Sequence, residues 1–499
     1  AVPGLYWIST CGGIFEPQVG QFEYNIISIK RKRFFLYSIL FPDCLVGVYL
    51  MYKICSMLLS VCLFTNLTYS ATRYVPSQYT TIQAAIDACQ NGDQVVVADG
   101  VYSGVGNPNA EDELDRLLVF TIDNKNIVIR SENGPEATII DCQGSSSQHR
   151  GGFGTNYGKV EGFTIKDAYG PSAAYVIGKG AMDNCIITSN ITLIDDTIEG
   201  YYGGAVFCGS FDSSIPVVSN CIITQNTVTS LKPNEDLLAG IGGGILSCWG
   251  KPLIVNCLIA ENYANHGGGI CCSFSSPTIT NCTVINNTAK VGGGIVVDNA
   301  YDNDGVKYFS AQPKIINSII ANNIDNDHNY QLIVGLGMYD DLTAPSSATV
   351  MYSNIYGTGT NCGHDGVYKG SQGAVTWGEG NINADPKFNL YGNEWELSAN
   401  SPCRDKGLNS AISGYSDDLY GNARMFNSTV DLGAIEYQGV EFSASTIPIT
   451  LDTIKTSTKN GLISFSIKGT FSAQTLNGRD LYVRLSGYEE IIESNKLTQ

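Results

Sequence analysis

One short phrase of alternating polar and aliphatic residues returns five times between residues 184 and 323 of this 499-residue chain, and it constrains the fold more than any other feature. Each copy begins and ends with Asn, as in Asn-Cys-Ile-Ile-Thr-Ser-Asn at 184–190. The other copies occupy residues 220–226, 256–262, 281–287 and 317–323, and glycine-rich runs follow the first four copies at 203–205, 242–244, 267–269 and 292–294. Such internal repetition predicts an architecture in which each unit packs on its neighbours.

The spacing of the copies separates a constant frame from variable insertions. Successive copies begin 36, 36, 25 and 36 residues apart, so the shortest unit, 256–280, has 25 residues. The longer units carry their extra residues in only two places, after the second Asn or after the glycine run. Variable loops on a constant frame are typical of a solenoid.

The residue types indicate which solenoid this is. The phrases alternate polar and β-branched or aliphatic residues, and no apolar stripe recurs at helical spacing. Asn and Gly accept the left-handed backbone that tight corners need. A 25-residue unit can hold three short strands and three corners but no strand–helix pair of ordinary length. The repeat therefore predicts an all-β parallel β-helix with coils about 4.8 Å apart.

Stacked coils place equivalent residues over one another. We therefore expect an interior column of cysteines and a hydrogen-bonded ladder of asparagines at one corner. The predicted column comprises Cys185, Cys221, Cys257 and Cys282, and the predicted ladder comprises Asn190, Asn226, Asn262, Asn287 and Asn323. The columnar positions favour buried thiols over disulfide bridges, although twelve cysteines in an exported protein would otherwise suggest bridging.

The first 71 residues differ from the rest. Residues 1–50 contain no Met, and the simplest account treats them as upstream sequence that is not native to the protein. Residues 51–71 have a basic head at Lys53, an apolar run and small residues at the end, which predicts a secretory signal peptide cleaved after Ser70. The alternative is a membrane helix within 34–67, a window that Pro42, Asp43 and Lys53 interrupt.

The net charge of −18 argues against nucleic acid and anionic membranes as partners. Acidic chains can bind Ca²⁺, which prefers clustered oxygen ligands, and Ca²⁺ is the one cofactor that the sequence suggests. No two cysteines have Cys-x-x-Cys spacing, so the sequence gives little support for zinc. After removal of the signal peptide we expect no membrane insertion.

Two flanking elements are predicted. Residues 80–91 form the one expected helix, a short cap on the first coil, with Ile82, Ala85, Ile86 and Cys89 on one face. Thr80 and Gln83 are its predicted capping box. Residues 439–499 alternate as antiparallel strands do at 463–467 and 481–485, and we interpret them as part of a β-sandwich-like domain.

Several motifs carry a resemblance to known families. The segments 79–87, 91–97 and 134–141 resemble the opening of secreted bacterial right-handed parallel β-helix proteins of the pectin-lyase-like superfamily. The phrase and the Gly-Gly-Ala-Val run at 203–206 are similar to repeats of chlamydial polymorphic outer-membrane proteins. The segments 381–388, 401–407, 418–424 and 430–437 resemble the terminal module called choice-of-anchor Q. The resemblance implies a right-handed β-helix over 72–380, a terminal anchor-type module over 381–438, and a secreted or cell-surface location in a bacterium.

The superfamily includes lyases, hydrolases and adhesins, so the fold alone does not give the function. The resemblance implies that a polysaccharide lyase would use Arg, or Lys with Arg, near a calcium ion. The chain has no Arg between Arg150 and Arg404, and the Gly-His-Gly and Arg-Ile-Lys signatures of galacturonan hydrolases are missing. The lysines that remain as candidate bases are Lys159, Lys166, Lys179, Lys251 and Lys290.

The insertions 191–202 and 227–241 leave the same corner of consecutive coils, where we expect them to stack. Acidic and aromatic residues there suit sugar or calcium binding, because rings cover sugar faces and carboxylates bond hydroxyls or metal. A plain solvated loop surface is the alternative. The predicted ligand-binding residues are Asp195, Asp196, Glu199, Tyr201, Tyr202, Glu235, Asp236 and Trp249, with Trp249 as either a sugar platform or a packed corner. The predicted metal ligands in the third insertion are Asp298, Asp302 and Asp304.

These observations lead to three functional hypotheses. The first is an exported cell-surface β-helix that binds extracellular polysaccharide or another polymer. The second is a polysaccharide lyase or glycoside hydrolase, with catalytic residues that the sequence does not identify. The third is an adhesin or structural spacer.

Overall fold

The computed structural model describes residues 70–104, 117–170, 172–194, 203–230, 241–298, 310–326, 328–335, 345–357, 366–389, 395–412 and 414–439, and four strands between 450 and 492. The chain divides into two compact units, 1–70 and 71–499, and all the strands named below belong to the second. The predicted signal peptide therefore lies almost entirely outside the described residues. Within them, no helix has the length and hydropathy to cross a membrane.

The strands between Thr72 and Trp377 form a parallel β-helix built from four long sheets, here named A, B, C and D. A central coil gives one strand to each sheet in turn, as in Leu253–Val255, Leu258–Ala260, Tyr263–His266 and Ile270–Ser273. The predicted β-helix is confirmed, but the prediction of three strands in each coil was wrong. Because strands of three or four residues suffice and corners are short, 25 residues hold four strands.

The strands of each sheet follow one another in chain order. Sheet A comprises Thr72–Val75, Gln94–Val97, Val128–Ser131, Lys159–Glu161, Ala181–Asp183, Val217–Ser219, Leu253–Val255, Thr278–Thr280, Lys314–Ile316, Ser346–Met351 and Gly373–Trp377. Sheet B comprises Gly100–Tyr102, Thr138–Asp141, Thr164–Lys166, Ile186–Thr188, Ile222–Thr224, Leu258–Ala260, Thr283–Ile285, Ile319–Ala321 and Asn354–Tyr356. Sheet C comprises Tyr169–Gly170, Ile191–Ile194, Thr227–Ser230, Tyr263–His266, Thr288–Val291 and Ile324–Asp325. Sheet D comprises Leu118–Ile122, Gly151–Thr155, Ala174–Ile177, Val206–Gly209, Ile245–Cys248, Ile270–Ser273, Ile295–Asp298, Leu332–Val334 and Val367–Lys369.

The repeated phrase supplies both the core and one corner ladder. Its central aliphatic residue is buried and in register from coil to coil, as for Ile187, Ile223 and Ile259. Its last Asn bonds to the next: the Asn226 amide donates to Asn262 Oδ1 at 2.9 Å, and the Asn262 amide donates to Asn287 Oδ1 at 2.9 Å. The same bond joins the remaining predicted members. The predicted ladder is confirmed.

The cysteines behave as the stacking of coils predicts. Cys185, Cys221, Cys257 and Cys282 are buried in the core, and all eleven described cysteines are free thiols. The prediction of stacked thiols over bridges is therefore confirmed for the described residues.

The glycine runs admit close contact between coils. Gly267 has φ +65°, a left-handed conformation, and a Cβ on Gly269 would lie 2.5 Å from Val284 Cγ1. A side chain at either position would therefore strain or displace the neighbouring coil.

The helix is shorter than predicted. It spans Ile82–Asp87 and its N-cap is Thr81, whose side chain accepts from the Ala84 amide, so the box predicted at Thr80 is wrong by one residue. The predicted C-terminal extension fails because the Gln90 amide donates to Asp93 instead of continuing the helix. The predicted apolar face is buried, and Gln83 bonds both the N–H and the C=O of Thr121 on the edge strand of sheet D.

Residues 395–439, here called the tail, fold back over the outer face of sheet B. Their apolar side chains pack with Leu258, Ile285 and Ile319 of the sheet in one buried cluster. The tail contains little regular structure beyond a 3-10 helix at Asn409–Ile412.

Two antiparallel pairs follow the tail. Thr450–Lys459 pairs with Leu462–Thr470, and Leu481–Leu485 pairs with Tyr488–Ile492. Antiparallel pairing is as expected from the alternation, whereas a sandwich-like domain stays a prediction.

Candidate functional site

The outer face of sheet B is covered by the tail in late coils and uncovered in earlier ones. One outward row runs in register from Thr164 through Ile186 and Ile222 to Leu258 and Ile319. Leu258 and Ile319 are buried beneath the tail, whereas Ile186 and Ile222 are only half-buried. The edge of the tail therefore creates a step on this face.

A cleft of about 570 Å³ lies at that step, a size typical of ligand pockets. Its floor is formed by the A–B corners of two coils, and its two sides are the loop 133–136 and the tail loop 414–421. The lining residues are Asn133, Pro135, Glu136, Asn184, Cys185, Ile186, Asn220, Ile222, Gly414, Tyr415, Ser416, Asp417, Asp418, Leu419, Tyr420 and Gly421.

The lining combines aromatic rings, carboxylates and amides. Tyr420 is partly exposed, and Tyr415 is half-buried, so that burial and then the charge of Asp183 raise the pKa of its hydroxyl. Tyr415 therefore stays a hydrogen-bond donor at neutral pH. Glu136 and Asp417 are exposed, and no described residue bonds to either carboxylate.

Asp418 belongs to the frame of this site. Its Oδ1 accepts from the Tyr420 and Asn422 amides at 2.9 and 2.8 Å, and its Oδ2 accepts from the Glu436 amide at 3.0 Å. A buried carboxylate with these three backbone donors fixes the tail loop and has little capacity left for a ligand.

A chain of asparagines joins the floor to the tail loop. Asp183 Oδ1 accepts from Asn220 Nδ2 at 2.8 Å, and Asn220 Oδ1 accepts from Asn256 Nδ2 at 3.2 Å. Asn256 Nδ2 also donates to the backbone carbonyl of Asp417 at 3.0 Å. Asn184, one coil earlier in the same column, is exposed, and its side-chain amide makes no hydrogen bond to a described residue. The uncovered end of this column is available to a ligand.

Two nearby lysines, Lys159 and Lys166, each form ion pairs with two carboxylates. Lys159 Nζ lies 2.9 Å from Glu161 and 2.7 Å from Asp183. Burial lowers the pKa of Lys159, but its bonds to Asp183 and Glu161 outweigh that effect and leave the pKa above its ordinary value. Lys166 lies 2.6 Å from Asp167 and 3.3 Å from Asp141, and the bond to Asp167 is the main cause of its raised pKa. Neither lysine is deprotonated at neutral pH, and the residues that line the cleft include no lysine or arginine.

The predicted binding loops fall largely outside the described residues. This applies to Asp195, Asp196, Glu199, Tyr201, Tyr202, Glu235 and Asp236. The strands that flank the two loops are adjacent, since Ile191–Ile194 pairs with Thr227–Ser230 and Val206–Gly209 pairs with Ile245–Cys248. The prediction that both insertions leave the same corner of consecutive coils is confirmed.

Trp249 is a packed corner. Its ring lies 4.3 Å from the Phe211 ring of the preceding coil and 6.3 Å, nearly parallel, from the Phe274 ring of the following coil. Its neighbours along the axis therefore occupy the faces that a sugar would need. The alternative of a sugar platform at Trp249 is not supported by this packing.

The predicted metal site has one described member. Asp298 is buried at the end of its sheet D strand, in register with Ser273, whereas Asp302 and Asp304 lie outside the described residues. No group of three His, Cys, Asp or Glu side chains able to hold a metal occurs in the part of the chain that the structure describes. A calcium site in this insertion stays a prediction.

The cleft was not predicted from the sequence. Its signal was present, because the first Asn of each phrase recurs as regularly as the last. The φ values of this column, 48° to 52° from Asn184 to Asn317, fit the tight corners that the repeated asparagines predict. The periodicity of the repeat does not predict the position of the tail. The tail covers the column at Asn256, Asn281 and Asn317 and leaves Asn184 and Asn220 uncovered.

No protein-family model matches the chain, and the search of curated proteins found no match. Among solved structures, the chain is similar to pectate lyase Pel9A, at 16% identity over 75% of this chain and 98% of that chain, with a TM-score of 0.42. It is similar to a pectin methylesterase from Aspergillus niger at 12% identity, over 70% of this chain and 95% of that chain, with a TM-score of 0.32. It is similar to the PL6 family alginate lyase AlyGC at 14% identity, over 77% of this chain and 60% of that chain, with a TM-score of 0.24. These neighbours are pectin-lyase-like parallel β-helix proteins, and the likeness concerns the fold alone.

Proposed function

We propose that this chain is an exported bacterial cell-surface protein that binds a neutral polysaccharide in the cleft between sheet B and the tail. The observation that carries the proposal is the lining: Tyr415 and Tyr420 beside carboxylates and amides, with Ile186 and Ile222 next to the corner asparagines of the floor. Tyrosine rings cover the apolar faces of sugars, while carboxylates and amides bond the hydroxyls. Glu136 and Asp417 would repel a polyuronate, since no lysine or arginine of the lining opposes them.

Titration calorimetry with cellohexaose, xylohexaose, mannohexaose and hexagalacturonate tests the proposal. We expect at least one neutral hexasaccharide to bind and hexagalacturonate not to bind. Tyr420→Ala should weaken that binding about tenfold, the loss of about 1.4 kcal/mol expected for one aromatic contact. Tyr157 is the matched control, because Tyr157 and Tyr420 are each 37% exposed and Tyr157 does not line the cleft. Binding of hexagalacturonate alone, or equal effects of Tyr157→Ala and Tyr420→Ala, would contradict the proposal.

Glycoside hydrolysis is the second candidate. Two exposed carboxylates without described partners, Glu136 and Asp417, line one cleft, and glycosidases use such a pair as acid and base or nucleophile. Release of reducing ends from the bound hexasaccharide, lost in both Glu136→Gln and Asp417→Asn but kept in Glu132→Gln, would establish this activity. Lyase chemistry is the weaker alternative, because Lys159 and Lys166 are each held by two carboxylates.

Calcium enters the proposal as a cofactor to be tested. Glu136 and Asp417 are oxygen donors of the kind that Ca²⁺ prefers, but two carboxylates alone are fewer than its usual ligand set. Calorimetry with and without EDTA separates the cases. A lost affinity in EDTA assigns Ca²⁺ to the site, and an unchanged affinity excludes it there. Attachment to cells that free sugar does not compete would favour the adhesin or spacer hypothesis instead.

Export is supported by a hydrogen bond at Ala71. The Ala71 backbone nitrogen donates to Asp93 Oδ1 at 2.7 Å, and Asp93 also holds Arg73. Cleavage after Ser70 would turn this nitrogen into an ammonium group facing a buried carboxylate, which would stabilise the new terminus. N-terminal sequencing of protein recovered outside bacterial cells should give Ala71. An intracellular protein that retains the upstream residues would overturn this part of the proposal.

A further inference from the structure

The cleft has a side wall at each end along the β-helix axis. On the first side, six residues, 132–137, join the sheet A strand Val128–Ser131 to the sheet B strand Thr138–Asp141. The next three coils make the same A–B corner with two residues, such as Asn184 and Cys185. The longer corner has four residues more than those corners and is exposed at Glu132, Asn133 and Glu136. It is fixed below by Thr164 Oγ1, which donates to the Pro135 carbonyl at 2.7 Å.

The second wall is the tail loop 414–421. Asn256 anchors this loop through the Asp417 carbonyl at 3.0 Å. Beyond it the sheet B face is closed, because Leu258, Ile285 and Ile319 are at most 2% exposed. A polymer that followed the axis along this face would meet buried sheet on that side and the longer corner on the other.

The two walls limit the length of ligand between them. The first wall follows the sheet A strand Val128–Ser131, and the second is anchored at Asn256, directly after Leu253–Val255, four strands further along sheet A. With coils about 4.8 Å apart, these two strands are roughly 19 Å apart, so the space between the walls holds at most about four sugar residues of an extended chain. A longer chain gains no further contacts with the floor.

We propose that the cleft recognises the end or a short branch of a neutral polysaccharide, at most about four residues long, and not the continuous backbone of the polymer. This inference rests on the proposed function and narrows its ligand. Tyr420 and the Asn256-anchored loop stop the bound segment on one side, and Pro135 and Glu136 stop it on the other. The opposed walls, rather than any single residue, set the length.

A length series of the oligosaccharides of the hexasaccharide that binds, from two to eight residues, tests the inference by calorimetry. We expect affinity to rise up to the tetrasaccharide and then to stay within twofold up to the octasaccharide. Partial hydrolysis of the matching polymer that raises its number of chain ends tenfold should raise the binding capacity per unit mass about tenfold.

A tenfold or greater gain from tetrasaccharide to octasaccharide, or a capacity that hydrolysis leaves unchanged, would overturn the inference while leaving the proposed function intact. Absence of binding across the neutral panel would instead remove the proposed function. A corner variant in which residues 132–137 are replaced by Gly-Phe, the two-residue corner of 162–163, provides a second measurement. In this variant, with its fold checked by circular dichroism, the octasaccharide should bind at least threefold more tightly than the tetrasaccharide, and equal affinities would count against the walls.

Discussion

The side-chain amide of Asn256 donates to the backbone carbonyl of Asp417 at 3.0 Å and so joins two residues that are 161 positions apart. Asn256 lies at an A–B corner of the β-helix, and Asp417 lies in the tail loop that forms one wall of the cleft. The same amide reaches Asn220 Oδ1 at 3.2 Å. One repeat residue therefore couples the frame, the tail and the cleft floor.

Asn256→Gly should loosen this wall. Glycine accepts the left-handed backbone at this position, where φ is 51°, so the change removes the amide without adding strain. We expect a loss of about 1 kcal/mol for the bond, seen as about fivefold faster hydrogen exchange in residues 414–421. Asn184→Gly is the control, because Asn184 occupies the same corner with φ 48° and its side chain makes no hydrogen bond to the described residues of the tail. Equal exchange in both variants would show that the loop is held by other contacts.

Asn262→Ala should destabilise the protein more than Asn256→Gly does, because it interrupts the asparagine ladder. Asn262 donates to the Ile223 carbonyl and to Asn287 Oδ1, each at 2.9 Å, and accepts from both nitrogens of Asn226. Alanine would remove the hydrogen-bond partner of buried donors and acceptors in the two neighbouring coils, at a cost of about 3 kcal/mol. Urea unfolding checks this, with the solvent-exposed neighbour Glu261→Ala as the control, which should change stability by less than about 0.5 kcal/mol. A midpoint equal to that of the control would mean that water replaces the ladder bonds.

The repeat could be interpreted from sequence because a solenoid makes every long-range neighbour a periodic one. Asn226 contacts Asn262 for the same reason that Asn262 contacts Asn287, and one periodicity predicts both contacts. The four-strand coil was missed because three-residue strands such as Leu258–Ala260 are too short for a hydrophobic period to register.

The cleft depends on contacts that have no period. Asn256 meets Asp417, and Asn317 Oδ1 accepts from the Leu408 amide at 2.7 Å, because the tail turns back once over the finished helix. Nothing in the phrase distinguishes Asn184, which stays open, from Asn256, which is covered. The insertions stand out from the repeat in the sequence, but a periodic pattern cannot identify a site that a single non-repeating segment creates.

Cysteine reactivity offers an independent check of the core. Burial raises the pKa of Cys272 and of Cys403 to about 12. We therefore expect differential alkylation with mass spectrometry to find these thiols unmodified in the native protein at pH 8 and fully modified after denaturation. Native modification of Cys272 at the rate of a free thiol would contradict its burial. Detection of a Cys221–Cys257 bridge would contradict the free column.

The tail carries a buried charge cluster. Arg424 is buried with its guanidinium within hydrogen-bond reach of the Asn281 amide, and Asp418, Asp431 and Glu436 lie close enough to act on its charge. Burial, and then the charge of Asp431, raise the pKa of Glu436 to about 7. Its two oxygens accept from the Phe426 and Asp431 amides at 3.1 and 2.9 Å.

Glu436 should make tail docking sensitive to pH. Its pKa is about 7 in the folded protein and about 4.3 in an unfolded chain, so the folded state holds this proton more tightly. The stability that protonation gives is complete below about pH 4.3, declines as pH rises towards 7, and is gone above it. We expect the thermal midpoint to fall between pH 5 and pH 8, with a smaller fall in Glu436→Gln, whose side chain cannot ionise.

Wild type and Glu436→Gln are compared by how steeply their thermal midpoints change with pH. Glu436→Gln also costs one backbone hydrogen bond, because its amide nitrogen cannot accept, and this cost is the same at every pH. The difference between wild-type and Glu436→Gln midpoints should therefore shrink as pH rises from 5 to 8. Asp417→Asn, which alters an exposed tail carboxylate, should instead follow the wild-type slope. Parallel curves of thermal midpoint against pH for wild type and Glu436→Gln would show that Glu436 does not titrate between pH 5 and pH 8. Any remaining pH dependence would then be assigned to Asp431, because burial also raises the pKa of that carboxyl.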